Sequence, residues 1–189
     1  GHGRWHADLH ERDQQREEEI RKVREEKTEN VNPLFLFSRI NERLEDNSLL
    51  IADGGDFAAT ASYTLQPRSP LTWLDPGPFG TLGVGGGFAI GAKCAKPRSD
   101  IWFLYGDGAA GFSLIEFDTF VRHELPVIAV VGNDAGWTQI LRDQLEWLGD
   151  DTGCRLRQTA YHEVARGFGA EGLLIDKNEQ VDAVLKKAL

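Results

Sequence analysis

Three clusters of Gly, Asp and Asn each follow directly on an apolar run: Asp53-Gly54-Gly55-Asp56, Gly106-Asp107-Gly108-Ala109-Ala110-Gly111 and Gly132-Asn133-Asp134-Ala135-Gly136. Such a cluster at the end of a buried strand reads as a tight loop that brings backbone amides up to a ligand. The second cluster spells G-x-G-x-x-G, the spacing that cradles a pyrophosphate at a strand-to-helix turn, and Asp134 could then serve as the ribose-binding acid of a dinucleotide site. Asp107 stands against that reading. Its carboxylate would face a phosphate, and two like charges about 4 Å apart repel by roughly 4 kcal/mol at an effective dielectric of 20. A divalent cation between them reverses the sign. Oxygen donors suit Mg²⁺ or Ca²⁺, and Mg²⁺ typically takes one or two protein carboxylates together with ligand phosphates. Asp107 offers one ligand, the Asn133-Asp134 pair a second, and a main-chain oxygen at Gly136 a third. Amides around Ala109 and Ala110 would hold phosphate oxygens.

The elements that must position these residues follow from apolar patterning. Residues 49–52, 101–105 and 126–131 are continuous apolar runs without a period of two, with a weaker run at 172–175. Helical stretches separate them. Residues 33–46 place Leu34, Phe37, Ile40 and Leu44 on one face, with Pro33 in the first turn and Asn32 as cap. Residues 81–95, 113–123 and 161–167 and a closing segment to Leu189 are also expected as helices. Residues 67–80 are too rich in Pro and Gly for one regular element, and 138–159 show little pattern. Apolar strands alternating with helices imply an α/β fold: a doubly wound, mostly parallel sheet with helices on both faces. In such a sheet the ligand lies outside the carboxyl ends of the strands, where all three clusters fall. Residues 1–30 read as a charged linker helix and 31–189 as the domain.

The 189 residues suffice for one domain burying about 70% of its unfolded surface. Thirty acidic against 21 basic residues give a net charge of −9, and no basic stripe supports a nucleic-acid partner. A diphosphate bound to so acidic a chain calls for a counter-cation. Two cysteines, Cys94 and Cys154, cannot build a disulfide framework. No apolar run reaches the length of a membrane span. The chain starts without Met and contains none, as a piece of a longer protein would. Glu116, Asp118, His123 and His162 are expected to serve solvent, local ion pairs or helix termini.

Gly106-Asp107-Gly108 followed by Asn133-Asp134 resembles the G-D-G…N-N signature of thiamine diphosphate enzymes. The resemblance implies metal ligation by Asp107, by Asp134 and by the main-chain oxygen of Gly136. Asp134 stands where most relatives carry Asn, and Asn133 is the alternative ligand. Residues 78–92, Pro-Phe-Gly-Thr-Leu-Gly-Val-Gly-Gly-Gly-Phe-Ala-Ile-Gly-Ala, look like the acetolactate synthase segment that meets both cofactor rings. By position Leu82 is the apolar wedge that bends the cofactor, with Thr81 beside it giving main-chain contacts. Gly55 and Asp56 fall where relatives hold the diphosphate, Asp56 through its amide. Gly106, Gly108, Ala109, Ala110, Trp137 and Thr138 complete the expected contacts, Trp137 either as core or as a lid.

Residues 113–123 and 132–139 look most like the acetolactate synthase-like 2-hydroxyacyl-CoA lyases. That resemblance implies thiamine diphosphate and Mg²⁺ as cofactors, and cleavage of a 2-hydroxyacyl-CoA, as in fatty acid α-oxidation. A 2-oxo acid carboligase of the acetolactate synthase type is the near alternative. It further implies an activating glutamate outside this chain, so that the chain alone would be inactive. A homodimer or homotetramer follows from the same source, as does attachment to the endoplasmic reticulum membrane through a segment outside the chain. A dinucleotide-binding oxidoreductase domain is the alternative of another class.

Overall fold

The computed structural model describes residues 2–189. Gly1, the first residue of the expected linker, lies outside them. Four parallel strands form one sheet in the order β2-β1-β3-β4: β1 (Leu49–Ala52), β2 (Trp73–Leu74), β3 (Ile101–Gly106) and β4 (Ile128–Gly132). The register pairs Leu49 with Ile101 and Ala52 with Leu104, and on the other side Trp102 with Ile128 and Gly106 with Gly132. The chain leaves β1 for β2 on one flank and returns to β3 on the other. The strand order therefore reverses between β1 and β3, which opens a crevice at their carboxyl ends.

Among the described residues nine α-helices surround the sheet: α1 (His2–Arg24), α2 (Pro33–Asn41), α3 (Gly55–Thr64), α4 (Gly85–Ala95), α5 (Asp107–Ser113), α6 (Glu116–Arg122), α7 (Thr138–Leu148), α8 (Tyr161–Gly167) and α9 (Val181–Ala188). Side chains on β3 alternate between two cores. Trp102 and Leu104 join Phe37, Ile40, Ala61, Val181 and Leu185 on one face. Ile101, Phe103 and Tyr105 join Ala89, Ala109, Ala110 and Phe120 on the other. Both faces are covered, which is why the strands carry apolar residues at every position.

The predicted stripe is buried, Leu34, Phe37 and Ile40 on α2 and Leu44 just beyond it. Asn32 caps the helix, its side-chain oxygen accepting from the Leu34 and Phe35 amides. The helix ends at Asn41, short of the expected 46. The charged segment forms α1, whose one buried side chain is Ile20. Its Glu18, Arg21 and Glu25 form the expected pairs three and four apart.

Four expectations are corrected. Residues 106–111 are not a loop, because β3 runs into α5 without a break. Residues 113–123 are not one helix, since a turn at Leu114–Ile115 separates α5 from α6. The segment 172–175 forms no strand. The stretch 138–159 contains α7, an amphipathic helix, and α3 follows the first Gly/Asp cluster unannounced. No helix of the described residues is long and apolar enough to cross a membrane.

Candidate functional site

Asp107 is the first residue of α5, placed there by the extended backbone of Gly106 at the end of β3. It is 3% exposed. One carboxylate oxygen accepts from the Gly108 amide at 2.8 Å and the other from the Gly136 amide at 3.2 Å. The side chain thus spans from β3 to the turn after β4. Burial pushes its pKa up, amide hydrogen bonds pull it down, and the nearby Asp134 carboxylate pushes it up again. Among the described residues no cationic side chain forms an ion pair with it. The Asp107 carbonyl accepts from the Tyr161 hydroxyl of α8 at 3.0 Å, which fixes the residue from a third side.

The turn that faces Asp107 is itself braced. The Trp137 amide donates to the Cys154 carbonyl and the Leu156 amide to Ala135, both at 2.8 Å, forming a short antiparallel bridge. Ala135 holds φ at +59°, a left-handed conformation costing roughly 1–2 kcal/mol for a residue with a Cβ. Because the bridge uses the peptides flanking Gly136 and the Gly136 N–H goes to Asp107, the Gly136 carbonyl takes no part in it. Asp134 is exposed beside the turn. Asn133 donates through Nδ2 to the Thr159 carbonyl at 2.8 Å, and its Oδ1 is buried without a partner.

These donors fit a divalent cation that a phosphate ligand completes. Two carboxylates, a free carbonyl and an orphaned amide oxygen supply hard oxygens. Among the described residues no three His, Cys, Asp or Glu side chains gather into a full protein shell. Mg²⁺ bound through few carboxylates plus phosphate is the chemistry such a partial shell serves. At seven residues, α5 is too short for its dipole to hold an anion by itself, so charge compensation has to come from a cation.

The crevice is lined by Gly54, Gly55, Asp56, Leu82, Gly106, Asp107, Gly108, Ala109, Asn133, Asp134, Gly136, Trp137 and Thr138, which brings the three sequence clusters together. Two expected contacts fall outside this lining. Ala110 is fully buried in the second core, and Thr81 is exposed to solvent. The indole of Trp137 lies over Gly108, where an added Cβ would come within 2.4 Å of the ring. Trp137 thus roofs the start of α5, and only glycine fits beneath it. Leu82 packs on Gly54, its Cδ2 2.1 Å from where a Cβ would stand.

Asp56 shows why it is tolerated at a phosphate loop. Arg142 of α7 grips its carboxylate with both terminal nitrogens, Nη2 donating to Oδ1 at 2.8 Å and Nη1 to Oδ2. Arg142, Tyr161 and Thr159 were not singled out in the sequence. Arg142 lies on the amphipathic pattern of α7, a signal that was available. Tyr161 acts through its hydroxyl on a main-chain carbonyl and Thr159 through its own carbonyl, contacts that leave no pattern in the sequence.

A family model described as "Thiamine pyrophosphate enzyme, C-terminal TPP binding domain" matches residues 53–189. The chain belongs to this thiamine diphosphate-binding family. This removes the dinucleotide-binding oxidoreductase domain, the reading that the bare G-x-G-x-x-G spacing invited.

The chain is 55% identical over 186 residues to mouse 2-hydroxyacyl-CoA lyase 2, covering 97% of this chain and 29% of that protein. It is 54% identical over 183 residues to the human protein of the same name, covering 96% and 29%. It is also 36% identical over 159 residues to an acetolactate synthase large subunit of Mycobacterium tuberculosis, covering 84% and 29%. The chain spans about three-tenths of the length of the curated relatives it matches.

Proposed function

We propose that this chain is the cofactor-binding part of a thiamine diphosphate- and Mg²⁺-dependent carbon–carbon lyase that cleaves a 2-hydroxyacyl-CoA to formyl-CoA and a shortened aldehyde. One observation carries the site assignment: a buried carboxylate, Asp107, opens α5 directly after β3 and faces the Gly136 turn and Asp134, with no cationic partner among the described residues. The choice of lyase rests on likeness to proteins named 2-hydroxyacyl-CoA lyase, which exceeds the likeness to acetolactate synthases.

In this reading Asp107, Asp134 and the Gly136 carbonyl hold Mg²⁺. Asn133, whose amide nitrogen is committed to Thr159, stands by as the alternative ligand through Oδ1. The amides of Gly55, Asp56, Gly108 and Ala109 approach the diphosphate. Leu82 supports the bent cofactor from Gly54, and Trp137 with Thr138 shields it from water. Thiamine diphosphate, when bound, supplies the carbon nucleophile that attacks the substrate carbonyl, and the protein supplies orientation and electrostatics. The proposal includes an activating glutamate from a pyrimidine-binding domain outside this chain, a homodimer or homotetramer, and membrane attachment through a segment outside residues 1–189.

The test titrates Mg²⁺ and thiamine diphosphate into full-length protein, wild type and Asp107→Ala, by calorimetry. Binding that needs Mg²⁺, is abolished by EDTA and is lost in the variant supports the site. Unchanged affinity in Asp107→Ala removes it. Aldehyde release from 2-hydroxyacyl-CoA then separates the lyase from a carboligase, which would instead condense 2-oxo acids. A protein that binds cofactor but turns over neither is a non-catalytic module.

A further inference from the structure

Asp53, 1% exposed at the end of β1, is a buried carboxylate that the site described above does not use. Its amide donates to the Leu104 carbonyl at 2.9 Å, so strand pairing continues through the residue and fixes where its side chain points. One carboxylate oxygen accepts from the Gly83 amide at 2.8 Å and the other from the Gly85 amide at 2.9 Å. Gly85 opens α4, and the N-cap position is Val84, which has no acceptor to offer. The helix is capped from the end of β1, 32 positions upstream of Gly85.

That is a costly way to cap a helix. Burying an isolated carboxylate is unfavourable unless good hydrogen bonds offset the lost hydration, whereas Ser, Thr or Asp at position 84 would cap locally. What a local cap could not do is tie two cofactor segments together. The Asp53 backbone leads straight into Gly54 and Gly55, while Gly83 follows Leu82. Leu82 packs on Gly54, closing a ring of contacts from Asp53 through Gly54, Leu82 and Gly83 back to the Asp53 carboxylate. Gly83 sits at φ +86°, and a Cβ there would meet that of Phe112 at 2.6 Å. Leu82 therefore cannot shift unless Gly83 leaves the carboxylate or its left-handed backbone.

We propose that Asp53 is a positioning residue, which sets the height of Leu82 above the diphosphate loop by clamping the Gly83 and Gly85 amides. The inference rests on the thiamine diphosphate reading of the site. Asp53 touches no reacting atom and acts through Leu82.

The test uses full-length protein. Asp53→Asn keeps the size but turns one acceptor into a donor, facing one of the two amides with another N–H. Leu36→Ala, in the core on the opposite face of the sheet, supplies a destabilised control. Four quantities are measured: apo melting temperature, thiamine diphosphate affinity in Mg²⁺, hydrogen exchange across 82–86, and near-ultraviolet circular dichroism of the bound cofactor. Asp53→Asn is expected to weaken cofactor binding by about tenfold, the effect of losing one hydrogen bond to a charged group. It is also expected to speed exchange at 82–86 and to alter the dichroism. Leu36→Ala is expected to lower the melting temperature and leave the other three alone.

Wild-type affinity and dichroism in Asp53→Asn overturn the inference. So does equal weakening by Leu36→Ala at equal loss of melting temperature. If Asp53→Asn fails to fold, Asp53→Glu moves the clamp by one methylene while keeping its charge, and unprotected Gly83 and Gly85 amides in the wild-type apoprotein would by themselves refute the clamp. A wild type that binds no thiamine diphosphate sinks the site reading and this inference with it. Binding by the wild type with no effect of Asp53→Asn sinks the inference alone.

Discussion

Two carboxylates, on opposite sides of the sheet, settle their charge in opposite ways. Asp182 on α9 meets two guanidinium groups, those of Arg39 on α2 and of Arg43 just beyond it, each at 2.8 Å. The hydrogen bond from Arg39 leads in holding its pKa below the usual carboxylate range. Asp107 is buried, is held by amides alone, and has another carboxylate, Asp134, for a neighbour, so burial holds its pKa up. Asp56 stands between these cases. It lies in the crevice, yet Arg142 neutralises it. Exposed ion pairs of the first kind contribute little to stability and bind nothing further. A buried carboxylate without a counter-charge is destabilising on its own, and a cation can remove that cost. The contrast locates the site better than the number of acidic residues does.

The largest expected effect comes from Asp107→Asn, which keeps shape and removes charge. At about 4 Å the lost attraction is worth roughly 4 kcal/mol at an effective dielectric of 20, on the order of a thousandfold in Mg²⁺-dependent cofactor affinity measured by calorimetry. An effect no larger than that of Asp182→Asn would erase the distinction between the two carboxylates. Gly108→Ala comes next. A methyl beneath the Trp137 indole overpacks the roof of α5, lowering stability by about 1–3 kcal/mol in thermal melts and shifting tryptophan fluorescence.

Leu82→Ala should remove a half-buried side chain at a cost of about 1 kcal/mol in stability while turnover falls far more. A collapse of folding in place of lost turnover would make Leu82 ordinary core. Asp182→Asn is the smallest. Since the folded-state pKa of Asp182 is depressed, its contribution is present above the unfolded value near 3.9 and disappears as pH falls through the folded value. The melting-temperature gap to wild type should be small at neutral pH, close in acid, and come with unchanged cofactor affinity. A gap that survives full protonation would show that shape, not charge, matters at Asp182.

Much of the frame was legible because burial on both faces leaves a plain mark. The runs at 49–52 and 101–105 are strands, and all four residues of the predicted stripe are buried, three of them on α2 and Leu44 just past its end. The three strand-end clusters also converge as expected, since β1, β3 and β4 are parallel neighbours in register. Where the reading failed, the deciding contact was long-range or the residues were ambiguous. Gly106-Asp107-Gly108 suggested a loop because glycine disfavours helix, but packing of Ala109 and Ala110 into the core draws the helix back to Asp107. In α7 the amphipathic pattern was present but passed over, and its apolar residues Ile140, Leu145, Trp147 and Leu148 remain exposed in this chain. Segment 172–175 is apolar enough for a strand but does not pair with β4.

The sequence by itself determined three of the four strands, their two-faced burial and the acidic residue set among phosphate-binding glycines, because each is written in local composition and period. The two-residue β2 (Trp73–Leu74) left no such mark. Only the tertiary structure decided the partners of each charge: Arg142 for Asp56, the Gly83 and Gly85 amides for Asp53, and no cationic side chain for Asp107. Electrostatic pairing depends on distance through space, and residues 86 or 30 positions apart leave no trace of that distance in the order of the chain.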